Sequence, residues 1–442
     1  MLVLVAGVLM MPGCGSPTPQ EAFAGVREQL AGREPAEVQW RTGTKEDGAA
    51  DKLVDDLLQH DLQVENVVQI ALLRNQGLQA DFENLGMAQA DLVRAGLLHN
   101  PLFQAETRFS SGGGFTFDFA LTQDFLDLLL MPAHKRLAET AFKQAQVGAA
   151  RDVLQMAQQA SHQYYRLQST LQKEGLFKQT LAAAEATYDL AQRMRAAGNI
   201  TLLDEDTECA AFEQAKLDLA TVENQVREQR EDLNTTMGLW GAQTQWRLAA
   251  RLPDLPAAAA STDGIEKTAV AESLQLDQRR LEIEEASEKL GIARPMALLE
   301  GSGVGVASEA SRDHKTEIGP ALAFPLPLFD MGQGEHAAAL SDLRRSAALY
   351  EADAVAIRSR ARVVRDRLIG ARERVEFLLK VVLPLRRQIL DETQKEYNGM
   401  LIGAFRLVAA KQETIQAAQQ YIDALETYWQ ARVEYDFLVH GS

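Results

Sequence analysis

Apolar positions along this chain repeat with two periods, one of 3.5 residues and one of two. From Leu340 to Ile389 every a and d position of one heptad frame is apolar: Leu340, Leu343, Ala347, Tyr350, Ala354, Ile357, Ala361, Val364, Leu368, Ala371, Val375, Leu378, Val382, Leu385 and Ile389. Charged residues such as Arg358, Arg360, Arg362, Asp366 and Arg372 fill the positions between them. That pattern predicts a coiled-coil helix, with Pro384 forcing a kink or a break near its end. The same frame recurs at Val147, Ala150, Leu154, Ala157, Ser161 and Tyr164, with a second stripe (Val153, Ala160, Leu167) beside it. Two adjacent stripes let one helix contact neighbours on two sides, as in a closed barrel of helices; an antiparallel bundle uses similar stripes. Long helices are expected at about 132–196 and 333–398, and shorter ones at about 67–96 and 202–237, with Gly198-Asn199 as a turn.

The two-residue period lies just before the long helices. Phe115, Phe117, Phe119 and Leu121 alternate with Thr116, Asp118, Ala120 and Thr122, and upstream Phe103, Ala105, Thr107 and Phe109 alternate with Gln104, Glu106 and Arg108. Ser110–Gly114 joins the two runs as a hairpin loop, placing strands at about 101–124. A second, weaker pair spans about 297–324: Leu298 to Ala307, a polar loop at Ser308–Lys315, then Thr316 to Phe324. An aromatic face opposite a charged face suits a transmembrane β-barrel and equally a hairpin packed on a helix. Four strands cannot close a barrel in lipid, where every backbone polar group needs a partner. Three chains would supply twelve.

The plan repeats. Ala71–Leu78 has a counterpart at Ala269–Leu276, followed in the same order by a non-helical stretch, a long helix, a turn and a medium helix. The fold class is therefore mainly α with a small β part, in two duplicated halves: a first repeat at 66–240, a linker at 241–263 and a second repeat at 264–440. Before them, the ten-residue apolar run Leu2–Met11 is too short to span a membrane and right for a signal-peptide core. With Met11-Pro12-Gly13-Cys14 after it, this start resembles the lipobox of bacterial lipoproteins, giving a signal at 1–13, a lipidated Cys14 and an anchored linker at 14–65.

Composition narrows the chemistry. With 45 Lys+Arg against 62 Asp+Glu the net charge is −17, which excludes a nucleic-acid partner. Two cysteines, Cys14 and Cys209, cannot build a disulfide framework. The seven histidines are scattered without metal-ligand spacing, no phosphate-binding Gly-x-x-x-x-Gly-Lys loop exists, and neither a metal, a cofactor nor an enzymatic reaction is expected.

Three strings carry a resemblance to one family: Ala71-Leu72-Leu73-Arg74-Asn75-Gln76-Gly77-Leu78, Gly96-Leu97-Leu98-His99-Asn100-Pro101, and Pro325-Leu326-Pro327-Leu328-Phe329-Asp330-Met331-Gly332-Gln333-Gly334. With the duplication, they make residues 60–440 similar to the TolC-like outer membrane factors, or outer membrane efflux proteins. The resemblance implies a homotrimer in the outer membrane of a Gram-negative bacterium. Each chain would lend four strands to a twelve-stranded barrel and its helices to a periplasmic tunnel, the exit duct of a tripartite efflux pump or type I secretion system. It implies a periplasmic adaptor (membrane fusion) protein, an inner-membrane transporter and outer membrane lipid as partners. It would make Phe103, Phe109, Phe115, Phe117 and Phe119 lipid-facing.

The family's tunnel-tip pattern, Tyr-x-x-Gly-x-x-Ser/Thr-x-x-Asp, is kept in the first repeat as Gly198, Thr201 and Asp204, followed by Glu205, Asp206 and Glu208, but Arg195 takes the tyrosine position. The second repeat keeps Tyr397 and has Met400 for the glycine, Gly403 for the Ser/Thr and Arg406 for the aspartate. Gate candidates are therefore Arg193, Arg195, Asp204, Glu205, Asp206, Glu208 and Arg406; the same acids also suit a solvated helix start. Gly198, Thr201 and the apolar Met400, Leu401, Ile402 and Phe405 are the candidate adaptor contacts. A lipid-anchored periplasmic coiled-coil scaffold without a pore accounts for the helices and Cys14, though not for Phe115–Thr122.

Overall fold

The computed structural model describes residues 18–34, 36–109, 115–299, 301–311 and 316–441, so the Leu2–Met11 run, Cys14 and the Ser110–Gly114 loop lie outside the described residues. In chain order the elements are α1 (Pro19–Leu30), α2 (Lys45–Leu57), β1 (Asp61–Leu62), α3 (Val64–Arg74), α4 (Gln76–Ala95), β2 (Leu102–Phe109), β3 (Phe115–Asp124), α5 (Phe125–Ala196) and α6 (Leu202–Met237). After them come β4 (Arg247–Leu248), α7 (Ile265–Ala271), α8 (Leu274–Leu299), β5 (Gly303–Ser311), β6 (Thr316–Ala323), α9 (Gln333–Phe377), α10 (Leu383–Asn398) and α11 (Ala404–Val439). Among the described residues no helix is long and apolar enough to cross a membrane.

The chain forms two compact units, each drawing on segments from both halves of the sequence. The first takes residues up to Leu30, Asp81–Ala150 and Leu274–Asp353. Its sheet is antiparallel in the order β2-β3-β5-β6. Gly305 permits the β3–β5 approach, because a Cβ there would lie 2.3 Å from the Leu121 carbonyl oxygen. Helix α1 buries Ala22, Phe23 and Val26, and the Phe23 ring meets Phe82 edge-on at 5.0 Å.

The second unit takes Ala31–Ala80, Arg151–Ser273 and the chain from Ala354 onward. Its core contains the part of both α5 stripes that follows Ala150, with Val153, Leu154, Ala157, Ala160, Tyr164 and Leu167 buried. On α9 the heptad seam is closed from Ala354 through Ile357, Ala361, Val364, Leu368, Ala371 and Val375 to Leu378. In the first unit, Leu340, Leu343 and Tyr350 are half-buried and Ala347 is exposed.

Then the seam shifts. Between α9 and α10, residues Leu378–Val382 form a π-helical turn, in which the Leu383 N–H bonds the Leu378 carbonyl. Pro384 supplies the reason: it has no N–H for the Lys380 carbonyl and its ring collides with that carbonyl in a regular helix. One extra residue per turn relieves both problems, so the helix neither breaks nor stops. The extra residue also turns everything after it by one position. Leu383, not Val382, is buried, while Leu385 and Ile389, predicted for the seam, are 53% and 39% exposed.

Other boundaries also differ from those the spacing predicts. The expected 67–96 helix splits at Asn75, whose Oδ1 accepts the Leu78 N–H at 2.9 Å while its Nδ2 donates to the Thr236 carbonyl at 2.8 Å. Helix α5 starts at Phe125, seven residues ahead of the expected start, because Asp124 Oδ1 accepts the Leu126 N–H at 2.8 Å; Pro132 then sits inside the helix. Leu298 belongs to α8, and β5 runs through the expected polar loop as far as Ser311. Pairing with β3 (Asp118 opposite Glu309, Thr116 opposite Ser311) overrides the polar sequence.

Candidate functional site

The sheet register assigns each strand residue to a face. Directly opposed residues share a face, so Phe103 with Leu121, Ala105 with Phe119, Thr107 with Phe117 and Phe109 with Phe115 lie together. Val306, Ser308 and Ala310 continue that face on β5, and Pro320, Ile318 and Thr316 on β6. Phe103, Phe109, Phe115, Phe117 and Phe119 are all exposed on it. Four of the rings form a connected row: Phe115 meets Phe117 edge-on at 5.2 Å, Phe117 stacks on Phe119 at 6.4 Å, and Phe103 stacks on Phe119 at 6.1 Å.

The opposite face is polar in a way the sequence did not display. Glu106 opposes Asp118, Asp118 opposes Glu309, and Glu309 opposes Glu317, so four carboxylates cross the sheet in one rung. Arg108 tempers one end, with Nε 3.0 Å from Glu106 Oε1 and Nη2 3.3 Å from Asp118 Oδ2. These side chains line a concavity of about 570 Å³ together with Gln104, Ala120 and Ala307. Sequence reasoning named Glu106 and Asp118 only as polar-face residues and overlooked Glu309 and Glu317. The row exists only once the register is known, and Asp118 and Glu309 are far apart in sequence. Among the described residues no cluster of three or more His, Cys, Asp and Glu is arranged to hold a metal ion.

The two helical turns lie in the second unit and share one construction. In the first, the Gly198 N–H bonds the Arg195 carbonyl and the Asn199 N–H bonds the Met194 carbonyl; in the second, Met400 bonds Tyr397 and Leu401 bonds Glu396 in the same pattern. Each is a Schellman ending whose C′ residue is left-handed: Gly198 at φ 75° and Met400 at φ 58°. Thr201 and Gly403 then cap α6 and α11. The pairings of Arg195 with Tyr397, Gly198 with Met400, Thr201 with Gly403 and Asp204 with Arg406 therefore describe equivalent places in the fold.

Chemistry separates the turns. Thr201 and Asp204 form a capping box: Asp204 Oδ2 accepts from the Thr201 hydroxyl at 2.7 Å and N–H at 2.9 Å, and the Asp204 N–H returns a bond to Thr201 Oγ1 at 3.2 Å. The Thr201 hydroxyl and then its N–H hold the Asp204 carboxyl below the ordinary carboxylate range. A depressed folded value means that this contribution is complete above the unfolded pKa of about 3.9 and is lost as pH falls through the lower folded value. Acidification through that window should therefore fray the first turn of α6 and leave α11, which has no acid in its first turn, unchanged. Amide exchange, corrected for its intrinsic pH dependence, measures the difference.

Asp206 is exposed, Glu205 and Glu208 are half-buried, and burial pushes the Glu208 carboxyl up. Arg193 pairs with Asp189 at 3.4 Å and Arg195 Nη1 donates to the Ile200 carbonyl at 3.4 Å. Arg406 is exposed, and Ile402 and Phe405 are half-buried. Met400, at a left-handed position that favours glycine, holds its side chain 93% exposed beside an exposed Leu401. Met400→Gly should relieve about 1–2 kcal/mol of backbone strain, raising the protection of the turn's amides in hydrogen exchange.

No protein-family model matches the chain, and a search of curated proteins finds no match to its sequence. Solved structures do resemble it. The Campylobacter jejuni CmeC outer membrane channel superposes with a TM-score of 0.68 at 14% identity, over 92% of each chain. The Vibrio cholerae outer membrane protein VceC gives 0.61 at 16% identity, over 89% of this chain and 97% of that one. The open state of the Neisseria gonorrhoeae MtrE outer membrane channel gives 0.62 at 14% identity, over 86% and 89%. The chain therefore has the fold of these outer membrane channels, as the resemblance in its motifs implied.

Proposed function

We propose that three copies of this chain form a passive channel-tunnel across the outer membrane and periplasm of a Gram-negative bacterium, the exit duct of a tripartite efflux pump or type I secretion system. One observation carries the reading. The four-stranded sheet exposes a row of phenylalanines on one face and a rung of carboxylates on the other, and among the described residues the outer edges of β2 and β6 have no strand partner. A sheet with open edges is stable in lipid only when closed, and twelve strands close where four do not. The phenylalanines would face lipid and the carboxylates water. The exposed Leu97, Leu98, Leu326, Leu328 and Phe329 beside the strand ends suit the membrane–water boundary.

The helical turns would be the periplasmic entrance. Glu205, Asp206 and Glu208 in three copies bring nine carboxylates towards one axis, with Asp204 engaged in its capping box and Arg193 and Arg195 at hand to bias closure. Met400, Leu401, Ile402 and Phe405, with Gly198 and Thr201, would receive a periplasmic adaptor, and an inner-membrane transporter would supply the energy. Cys14 would be acylated. The pore-free scaffold remains the competing reading, and the exposed phenylalanine row counts against it.

Fractionation tests the proposal. The protein should sediment with outer membranes and migrate as a trimer before heating and as a monomer after it. Incorporation of labelled palmitate should disappear in Cys14→Ala while the trimer persists. Release of the Cys14→Ala protein into the soluble periplasm as a monomer would favour the scaffold.

A further inference from the structure

Three helices of the second unit share a strap. Residues 249–266 cross α5, α11 and α9 along one side. Gln168 Nε2 on α5 donates to the Ala249 carbonyl at 2.9 Å. On α11, Trp429 Nε1 donates to the Pro253 carbonyl at 2.9 Å and the Tyr435 hydroxyl to the Ser261 carbonyl at 2.6 Å. On α9, Arg372 Nη1 donates to the Pro256 carbonyl at 3.0 Å, and Arg362 meets Glu266 at 2.8 Å. Arg360, Arg367 and Arg374 lie about half a turn of α9 away from those contacts, and all three are exposed.

Charge marks that side. Residues 358–387 carry ten bases against three acids in a chain of net charge −17. The three arginines recur every seven residues, so they stand about 10 Å apart along one line of the helix. Arg367 pairs with Glu434 at 2.7 Å, and Arg360 lies 5.9 Å from the centre of the Phe437 ring. Among the described residues neither Arg360 nor Arg374 has an ion pair. On the same side α11 shows the uncharged Gln416, Gln420 and Thr427, and its Asp423 is engaged by Lys173 at 2.5 Å. Val363, 50% exposed, sits between the first two arginines.

We propose that this side is the tunnel wall and that its arginines fit the duct to organic anions, molecules with an apolar body and a carboxylate, sulfonate or phosphate group. The inference rests on the trimeric channel proposed above and adds the class of its cargo. Three non-helical straps placed inside would take up the lumen, whereas outside they gird the helices, so the side without the strap faces in. Each guanidinium offers a planar fork of donors that matches such anions, and Val363 offers apolar contact. Sites repeated along one line let a cargo step from one to the next rather than stay bound. The carboxylates of the sheet and of the first helical turn bias small ions; the arginine line adds a station for a larger anion.

The test is a bilayer recording on the full-length trimer with pyrene tetrasulfonate as the anionic probe and a pyrene carrying quaternary ammonium groups as the control. The sulfonate should block the conductance reversibly at concentrations where the control does not. Arg360→Gln combined with Arg374→Gln, which leaves the Arg367–Glu434 pair in place, should weaken that block about tenfold in a protein that still forms trimers. A second variant reads the placement of the wall. In Gln420→Cys with Cys209→Ser, an anionic thiosulfonate reagent should lower the conductance, and should react faster than a cationic one. No block, or a block unchanged in the arginine variant, overturns the cargo class. A Gln420→Cys channel indifferent to the reagents puts this side outside the lumen, and loss of the trimer in the arginine variant puts it between copies; either overturns the proposal. Unmodified protein that never conducts removes the channel reading beneath it.

Discussion

Phe117→Arg should remove most of the heat-resistant trimer while the helical unit keeps its circular dichroism. The ring lies mid-row on the exposed sheet face, 5.2 Å from Phe115 and 6.4 Å from Phe119, with Thr107 directly opposite. If that face meets lipid, each arginine costs about 2–4 kcal/mol near the bilayer midplane, and the trimer incurs it three times. An arginine on a water-exposed sheet would cost almost nothing, so the size of the loss reports the environment. Asp118→Asn, one residue along on the opposite face, should leave assembly intact if that face lines the water-filled side of the barrel. Trimer yield after membrane extraction, compared between the two variants, is the measurement. Equal yields would place the phenylalanine row in water.

Trp246→Ala should destabilise the second unit by about 3–5 kcal/mol, the cost of deleting a fully buried large aromatic. Trp246 is 2% exposed, its Nε1–H donates to Asn234 Oδ1 at 2.7 Å, and the Arg230 guanidinium lies over the ring at 3.9 Å. Truncation therefore opens a cavity and leaves a buried amide oxygen without its donor. Amide exchange should accelerate first near Asn234, at the end of α6, and the apparent melting temperature should fall. Trp246→Phe restores most of the volume but not the hydrogen bond, so it should recover only part of the loss.

Much of this was legible in the residues because it depends on local period. The seam from Ala354 to Leu378, both α5 stripes and the β3 alternation need only spacing, and each helix or strand exposes that spacing directly. What was not legible depends on long-range geometry. Val382, Leu385 and Ile389 fit the heptad perfectly, yet Pro384 shifts the seam by one residue, and a proline announces a disturbance without its form. The end of β5 was misplaced because pairing with β3, not composition, carries Ser308–Ser311 in the sheet. The carboxylate rung needs the register of four strands drawn from both halves of the chain. At the turns the sequence pairing of Met400 with Gly198 agrees with the hydrogen bonds, but the engagement of Asp204 in a capping box is a matter of side-chain geometry.

Single-channel recording in a planar lipid bilayer decides whether the trimer is a pore. Purified trimer added without any partner or nucleotide should produce discrete conductance steps of uniform size, with cations favoured over anions because the sheet's polar face and the first helical turn are both acidic. Neutralising Glu309 and Glu317 together should reduce that preference without closing the channel. A heat-modifiable trimer that inserts into the bilayer and conducts no ions, under conditions where control porins conduct, would mean that the protein is not a channel.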